Sequence, residues 1–578
     1  MPKGYNAPVM IRMLAVLLSV ALPLSFASRQ DLGVASTTGL VVSTSSIASD
    51  VGAAVLADGG SAVDAAIATA FALAVTHPTA GNIGGGGFMV VRTPDGRATA
   101  FDFREKAPLK STPTMYLDET GNINRALTSS GYLAPGVPGT VRGLELAHKR
   151  FGKLPWKRLV DPAAKLAREG FVMHPSLARS LNSQLSGTMG RYPSSVDAYG
   201  KPGGGEWQGG DRIVLGDLGR TLQAIADGGA DAFYTGRIAE QFAADMAANG
   251  GIITTEDLAK YEAKERAPVR GTFNGYEIIS MPPPSSGGVA LIEMLNILET
   301  VGIDKLAADS VEAMHLQIEA MRRAYLDRAR HLGDPDFSKI PVGRLISKPH
   351  ARQVASTINR TKASSSLELG KDIVTTTSDQ ESMETTHFSV IDRNGMAVSQ
   401  TYTLEGGYGS RVVVKGLGFL LNNEMGDFNK KPGETNTSGD IGTPANLIAP
   451  GKRMLSSMTP TIVTRNGRVA LVTGTPGGRT IINTVMGIVL NVTAFEMTGR
   501  EAVDAPRMHH QWLPDRVSLE SGALSVQALA TLKAMGHEVR QGGRQGDAHS
   551  IWIDPKTGTA YGVNDTRSAD SKASVPGK

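Results

Sequence analysis

Cysteine is absent from all 578 residues. That absence removes disulfides, thiol nucleophiles and thiolate-ligated zinc, though it assigns no compartment, since exported chains also fold without disulfides. A G-x-S-x-G elbow is missing as well, so the pair Ser285-Ser286 has no serine-hydrolase context. No block of Lys and Arg interleaved with aromatics occurs. The formal charge is +4, and Lys3 and Arg12 lie at the extreme N-terminus, so the rest of the chain is close to neutral and nucleic acid is not expected as a partner. The 67 glycines follow no G-X-Y period, which excludes collagen and points to turns and close backbone approaches.

Only one long apolar run exists, MLAVLLSVALPLSFA at residues 13–27. It is shorter than the roughly 20 residues a membrane span needs, and Pro23 interrupts it. Basic residues precede it and Ser25-x-Ala27 follows, the pattern of a secretory signal peptide. Cleavage is expected after Ala27, with the mature chain periplasmic or secreted and without a membrane span.

A chain of this length holds more than one core-sized unit. ADGGSAVDAAIATAFALAVTHP, residues 57–78, predicts an Ala-rich buried helix capped by Ser61 with Asp64 and ended by Pro78. The glycines Gly84–Gly87 precede a strand instead of opening a helix, so they are no phosphate loop. Residues 88–105 read as a hairpin, and 135–350 as mostly helical. From 352 to 384 the chain is polar and rich in Ser and Thr, and it reads as a flexible linker. Further strands are expected at 418–423, 459–474 and 549–565, and helices at NTVMGIVLNVTAF and SVQALATLKAMG.

Right after Glu384, HFSVIDRNGMAVSQTYT alternates and turns at Arg-Asn-Gly. A three-residue loop with Gly395 left-handed pairs Asp392 with Met396 and sets Thr385 opposite Thr403; a two-residue Asn-Gly loop would instead set it opposite Leu404. A strand that starts abruptly with Thr behind a polar linker is the layout of an N-terminal nucleophile hydrolase. Threonine is a weak nucleophile without a base beside it. Cutting the Glu384–Thr385 bond would supply that base as the new α-amine, whose pKa near 8 lies close to working pH.

TTHFSVIDRNGMAVSQTYTLEGGYGS, LLNNEMGDF, MLSSMTPTIV and TGTPGG, together with DFREKAP, PSSGG and APRMHHQW, resemble γ-glutamyltranspeptidase from about residue 36 to the C-terminus. The resemblance implies an α+β fold, the four-layer αββα sandwich of the N-terminal nucleophile hydrolases. It implies a precursor that splits itself into a large subunit, 28–384, whose tail is the 352–384 linker, and a small subunit, 385–578, which stay together as a heterodimer. It further implies Thr385 as nucleophile, Thr403 as its hydrogen-bond partner, and the backbone of Gly477 and Gly478 as the oxyanion hole. Arg104 would grip the substrate α-carboxylate with help from Ser456 and Ser457, while Asp427 with Glu424 would hold the α-ammonium.

The implied reaction transfers the γ-glutamyl group of glutathione and related compounds to water, an amino acid or a dipeptide, without metal or organic cofactor. Glu405 stands where several members carry Asn, and an extra carboxylate there would act on the head group. Residues 429–447 resemble the family's lid loop, with Ser438 where lidded members place a Tyr. The alternative is a glutaryl or cephalosporin acylase of the same superfamily, whose substrate has no α-ammonium for Glu405, Glu424 and Asp427 to bind. A different class, an unprocessed exported binding protein, would use the same pocket without chemistry. His509-His510 is read as structural hydrogen bonding, since adjacent histidines on a regular element point apart.

Overall fold

The computed structural model describes residues 31–376, 385–437 and 441–577. The leader, Glu384 and Ser438 lie outside the described residues. Two seven-stranded antiparallel sheets organise the chain. The first carries β1 (Gly39–Ser43), β2 (Gly86–Arg92), β3 (Ala98–Phe103), β4 (Thr386–Asp392) and β5 (Ala397–Thr403). Their spatial order is β1-β4-β5-β2-β3, with Lys572–Ser574 at the β1 edge and Lys264–Arg266 at the β3 edge. The hairpin β4–β5 is therefore flanked on both sides by strands from the first hundred residues. The second sheet centres on His549–Ile553, Arg468–Thr473 and Thr461–Arg465, extended by Tyr276–Ser280 and Val269–Phe273.

Side chains alternate across each strand, so one strand feeds two cores. Val41, Met89, Val91, Phe388 and Val390 pack with α1 (Ala62–Thr76). Leu40, Val42, Phe88 and Val90 point the other way, into the core that holds Ile462, Val472 and Ile551 of the second sheet. All fifteen residues of α1 are buried, and the Ser61–Asp64 capping box satisfies its first amides, as the sequence predicts. Beyond the second sheet lie α2 (Gly287–Thr300), α3 (Val311–His331), α4 (Lys348–Ala355) and α5 (Thr480–Thr493), which complete the αββα order. Polar ties cross between the sheets: Ser389 Oγ donates to the His549 carbonyl at 2.7 Å and Ser399 Oγ to the Thr473 carbonyl at 2.9 Å.

The β4–β5 turn is the three-residue form. Asp392 N donates to the Met396 carbonyl at 3.0 Å, and Gly395 sits at φ +85°, a conformation that glycine adopts without strain. The ladder then pairs Ile391 with Ala397 and Thr386 with Tyr402.

Two expectations fail. Residues 418–423 form no strand; Leu420 makes an isolated bridge to Val413, because the chain curves around buried Asn422 and Asn423. The segment from 352 is also not uniformly a flexible linker. Lys348–Ala355 and Ser366–Leu369 are helical, and Thr375–Thr376 pair with Thr435–Asn436. Ser366 is buried, donating its amide to Asp515 at 2.8 Å and accepting from Arg322 at 2.6 Å and Trp512 at 2.8 Å. Hydrogen bonds to buried charges order this stretch, and a composition argument built on apolar burial misses them.

Gly474, one residue past the strand Arg468–Thr473, lies against the imidazole of His387 on β4; a Cβ there would stand 2.4 Å from the ring. Gly474→Ala is expected to lower stability by about 1–3 kcal/mol through overpacking, read as a lower thermal midpoint of otherwise folded protein.

Candidate active site

Thr385 immediately precedes β4 and is 7% exposed. One step along the ladder from Thr386–Tyr402 sets it opposite Thr403, the last residue of β5. Thr403 is fixed from two sides: Asn82 Nδ2 donates to its carbonyl at 2.9 Å, and its Oγ1 accepts the Glu405 amide at 2.9 Å. The same cavity that reaches Thr385 and Thr403 is walled by Arg104, Glu405, Glu424 and Asp427, by Ser456 and Ser457, and by Gly478.

Gly477 and Gly478 precede α5, at φ +133° and +56°. A Cβ on Gly477 would meet Thr480 Oγ1 at 2.5 Å, so the turn requires glycine. The position at the start of a 14-residue helix adds the positive end of its dipole to any amide donor there.

Arg104 is buried at the end of the DFRE segment and carries a dense ion cluster. Its Nη1 lies 2.7 Å from Glu424 Oε2 and 3.6 Å from Glu105 Oε2, and its Nη2 pairs with Asp427. Nη2 also donates to the Leu455 carbonyl at 3.3 Å. Burial works against the charge on Arg104, but Glu424, Asp427 and Glu105 outweigh it and hold the guanidinium above its ordinary value. The carboxyls fare differently. Burial pushes Glu424 well above the usual carboxylate range, Arg104 offsets only part of this, and the neighbouring carboxylates raise it further. Burial likewise pushes Glu105 up to about 8.

The serine pair closes the other side. Ser456 presents its carbonyl to Ser286 N at 2.8 Å and Ser286 Oγ at 2.6 Å. Ser457 Oγ accepts from Arg328 Nη2 at 3.1 Å, and Arg328 Nε donates to Ser286 Oγ at 2.9 Å. The Ser285-Ser286 loop is thus a brace for Ser456 and Ser457. Glu405 has φ +79° and receives the side-chain amide of Asn423. The lid-like segment contributes Lys430, Glu434 and Asn436 to the wall.

His387, two residues from Thr385, is no candidate base. Its Nδ1 is 2.8 Å from Thr401 Oγ1 and its Nε2 3.1 Å from Ser389 Oγ, and burial holds it well below its ordinary pKa. The adjacent histidines are structural, as expected: His509 bonds Asn483 and Gln511, and His510 bonds Asp515.

All ten residues expected in the catalytic and substrate-binding site cluster here; Gly477 adjoins the wall through Gly478. The sequence reading missed Glu105, Asn82, Asn423 and Arg328. Glu105 was within sight, beside Arg104. Arg328 gave no signal, because a charged residue in an amphipathic helix reads as solvated surface.

Residues 48–575 match the family model of gamma-glutamyltranspeptidase. The chain is 45% identical over 552 residues to the glutathione hydrolase proenzyme of Escherichia coli (strain K12), covering 95% of this chain and 94% of that protein. Among solved structures, a cephalosporin acylase from Bacillus halodurans superposes with a TM-score of 0.81 at 26% identity, covering 98% and 99% of the two chains. A gamma-glutamyltranspeptidase chain from Helicobacter pylori matches at 47% identity and a TM-score of 0.53, covering 54% of this chain and 90% of that one.

Because Glu105 ionises near pH 8 when folded and near 4.5 otherwise, the folded state binds more protons between those values. Stability from this group is therefore full below pH 4.5 and declines as pH rises through 8. Glu105→Gln is expected to flatten that decline: its thermal midpoint should gain on the parent between pH 5 and pH 8.5.

Proposed function

The chain belongs to the gamma-glutamyltranspeptidase family, and from that premise we propose a glutathione hydrolase and γ-glutamyl transferase that matures by cutting itself before Thr385. The observation that carries the reading is the placement of Thr385 opposite Thr403, in one cavity with a buried arginine, a group of carboxylates and the Gly477-Gly478 turn.

Maturation begins when Thr385 Oγ1 attacks the Glu384 carbonyl carbon. The C–N bond breaks as an ester forms, and water hydrolyses that ester to free the Glu384 carboxylate and the Thr385 amine. Because β4 and β5 lie between β1 and β2, the large (28–384) and small (385–578) pieces remain one body after the cut. The amine of Thr385 then takes the proton of its own hydroxyl. Oγ1 bonds the donor's γ-carbonyl carbon, and backbone N–H groups of Gly477 and Gly478 receive the oxyanion. One such donor is worth roughly 3–4 kcal/mol of barrier. The amine passes its proton to the leaving nitrogen, leaving a γ-glutamyl ester on Thr385. Water completes hydrolysis; an amino acid or dipeptide completes transfer.

The head group explains the carboxylates. Arg104 offers its fork to the α-carboxylate, supported by Ser456 and Ser457. In the free site that fork is held by Glu424 and Asp427. A zwitterionic donor supplies its own anion to Arg104 and its own cation to Glu424, Asp427 and Glu405, so the carboxylates displaced from the fork regain a cationic partner. A glutaryl group brings the anion without the cation, which disfavours the acylase reading. The leader fits export to the periplasm or medium with removal after Ala27. Among the described residues no helix is long and apolar enough to cross a membrane.

The test is turnover of γ-glutamyl against glutaryl anilides, with Thr385→Ala as control. The γ-glutamyl compound is expected to lead by at least about a hundredfold, consistent with roughly 3 kcal/mol from a buried charge left unpaired. Thr385→Ala should run as a single uncut chain without turnover. Preference for the glutaryl compound, or cleavage of Thr385→Ala at residue 384, overturns the reading.

A further inference from the structure

Outside the catalytic cavity, three helices converge on a second constellation: Glu293 on α2, Asp327 on α3 and His350 on α4. We propose that these three side chains form a binding site for a divalent transition-metal ion, zinc or manganese. One ligand atom from each lies within 4.8 Å of the other two. His350 Nε2 is 2.9 Å from Asp327 Oδ2 and 3.4 Å from Glu293 Oε1. Bonds of about 2.0–2.2 Å place neighbouring ligand atoms about 3.0 Å apart around an octahedral ion and about 3.4 Å apart around a tetrahedral one. The two separations from His350 Nε2 fall within that span. One imidazole with two carboxylates is a donor set of the borderline metals, not of calcium or magnesium alone.

The second observation is that Glu293, only 1% exposed, has an Oε1 with no hydrogen-bond partner. A buried carboxylate oxygen left that way is costly. Apart from His350 itself, the basic groups around the pair stand further off: Arg330 and His331 are 3.9 Å from Asp327 Oδ1. Arg344 is exposed and contacts the opposite ring nitrogen, His350 Nδ1, at 3.4 Å.

In a contrasting trio, His315, Glu319 and His537, the carboxylate is already matched. There Glu319 Oε2 accepts from Arg323 and from Ser364 Oγ, both at 2.5 Å, so its charge is already matched. The proposed site has no such match, and Asp327 is adjacent to Arg328, which braces Ser457 in the catalytic cavity.

The experiment is equilibrium dialysis of purified, EDTA-stripped protein against micromolar zinc chloride and, separately, manganese chloride, with bound metal counted by atomic spectrometry. The parent is expected to hold one equivalent of at least one of the two ions. Glu293→Gln and His350→Gln should each bind at least tenfold more weakly. His350, whose side chain is 9% exposed against 1% for Glu293, supplies a second variant that tests the site if Glu293→Gln fails to fold. A parent that holds no more metal than His350→Gln overturns the proposal.

Discussion

The register of one hairpin governs this molecule. Asp392 and Met396 close the turn, Gly395 provides its left-handed corner, and the ladder then runs without a slip from Ile391–Ala397 to Thr386–Tyr402. A shift by one residue would send the opposite set of side chains to each face. Phe388 and Val390 would leave the α1 core, Ser389 would lose the carbonyl of the other sheet, and Thr385 would no longer face Thr403. The apolar alternation that fixes the fold and the geometry that places the proposed nucleophile are therefore one constraint.

The electrostatics of the cavity follow a second rule: a charge is buried here only beside its opposite. Arg104 holds Glu424 and Asp427 close and keeps Glu105 within reach. A single guanidinium does not neutralise that many carboxyls, so burial keeps Glu105 and Glu424 protonated beyond the usual range. A cation placed beside these acidic groups would favour their ionised forms, and the ammonium of the proposed donor's head group is such a cation. The same rule distinguishes Glu319, matched by Arg323, from Glu293, whose Oε1 accepts no hydrogen bond, elsewhere in the helical layer.

Much of this was legible in the residues. The Ser61–Asp64 cap, the hairpin at 88–105 and the strands within 459–474 follow from period and turn chemistry, which left Thr385 opposite either Thr403 or Leu404 until the structure selected the three-residue turn. The residues proposed for catalysis and head-group binding emerged from the joint resemblance of seven short blocks, since each block alone has a duller reading. What stayed hidden depended on distant partners. Ser366 is ordered by Arg322, Asp515 and Trp512, which lie 44, 149 and 146 positions away. Arg328 is a wall of the site because α3 turns a charged face inward toward Ser286 and Ser457. Residues 418–423 look like a strand by composition, yet Asn422 spends its amide on the backbone of Gly84 and Gly136 and curves the chain instead.

The central claim is that catalysis needs a free amine on Thr385. Intact-mass measurement with N-terminal sequencing of purified, active protein tests it most directly. Two polypeptides are predicted, the smaller beginning at Thr385, with activity rising in step with its appearance. Full activity in a preparation whose residues 384 and 385 remain joined would contradict the account.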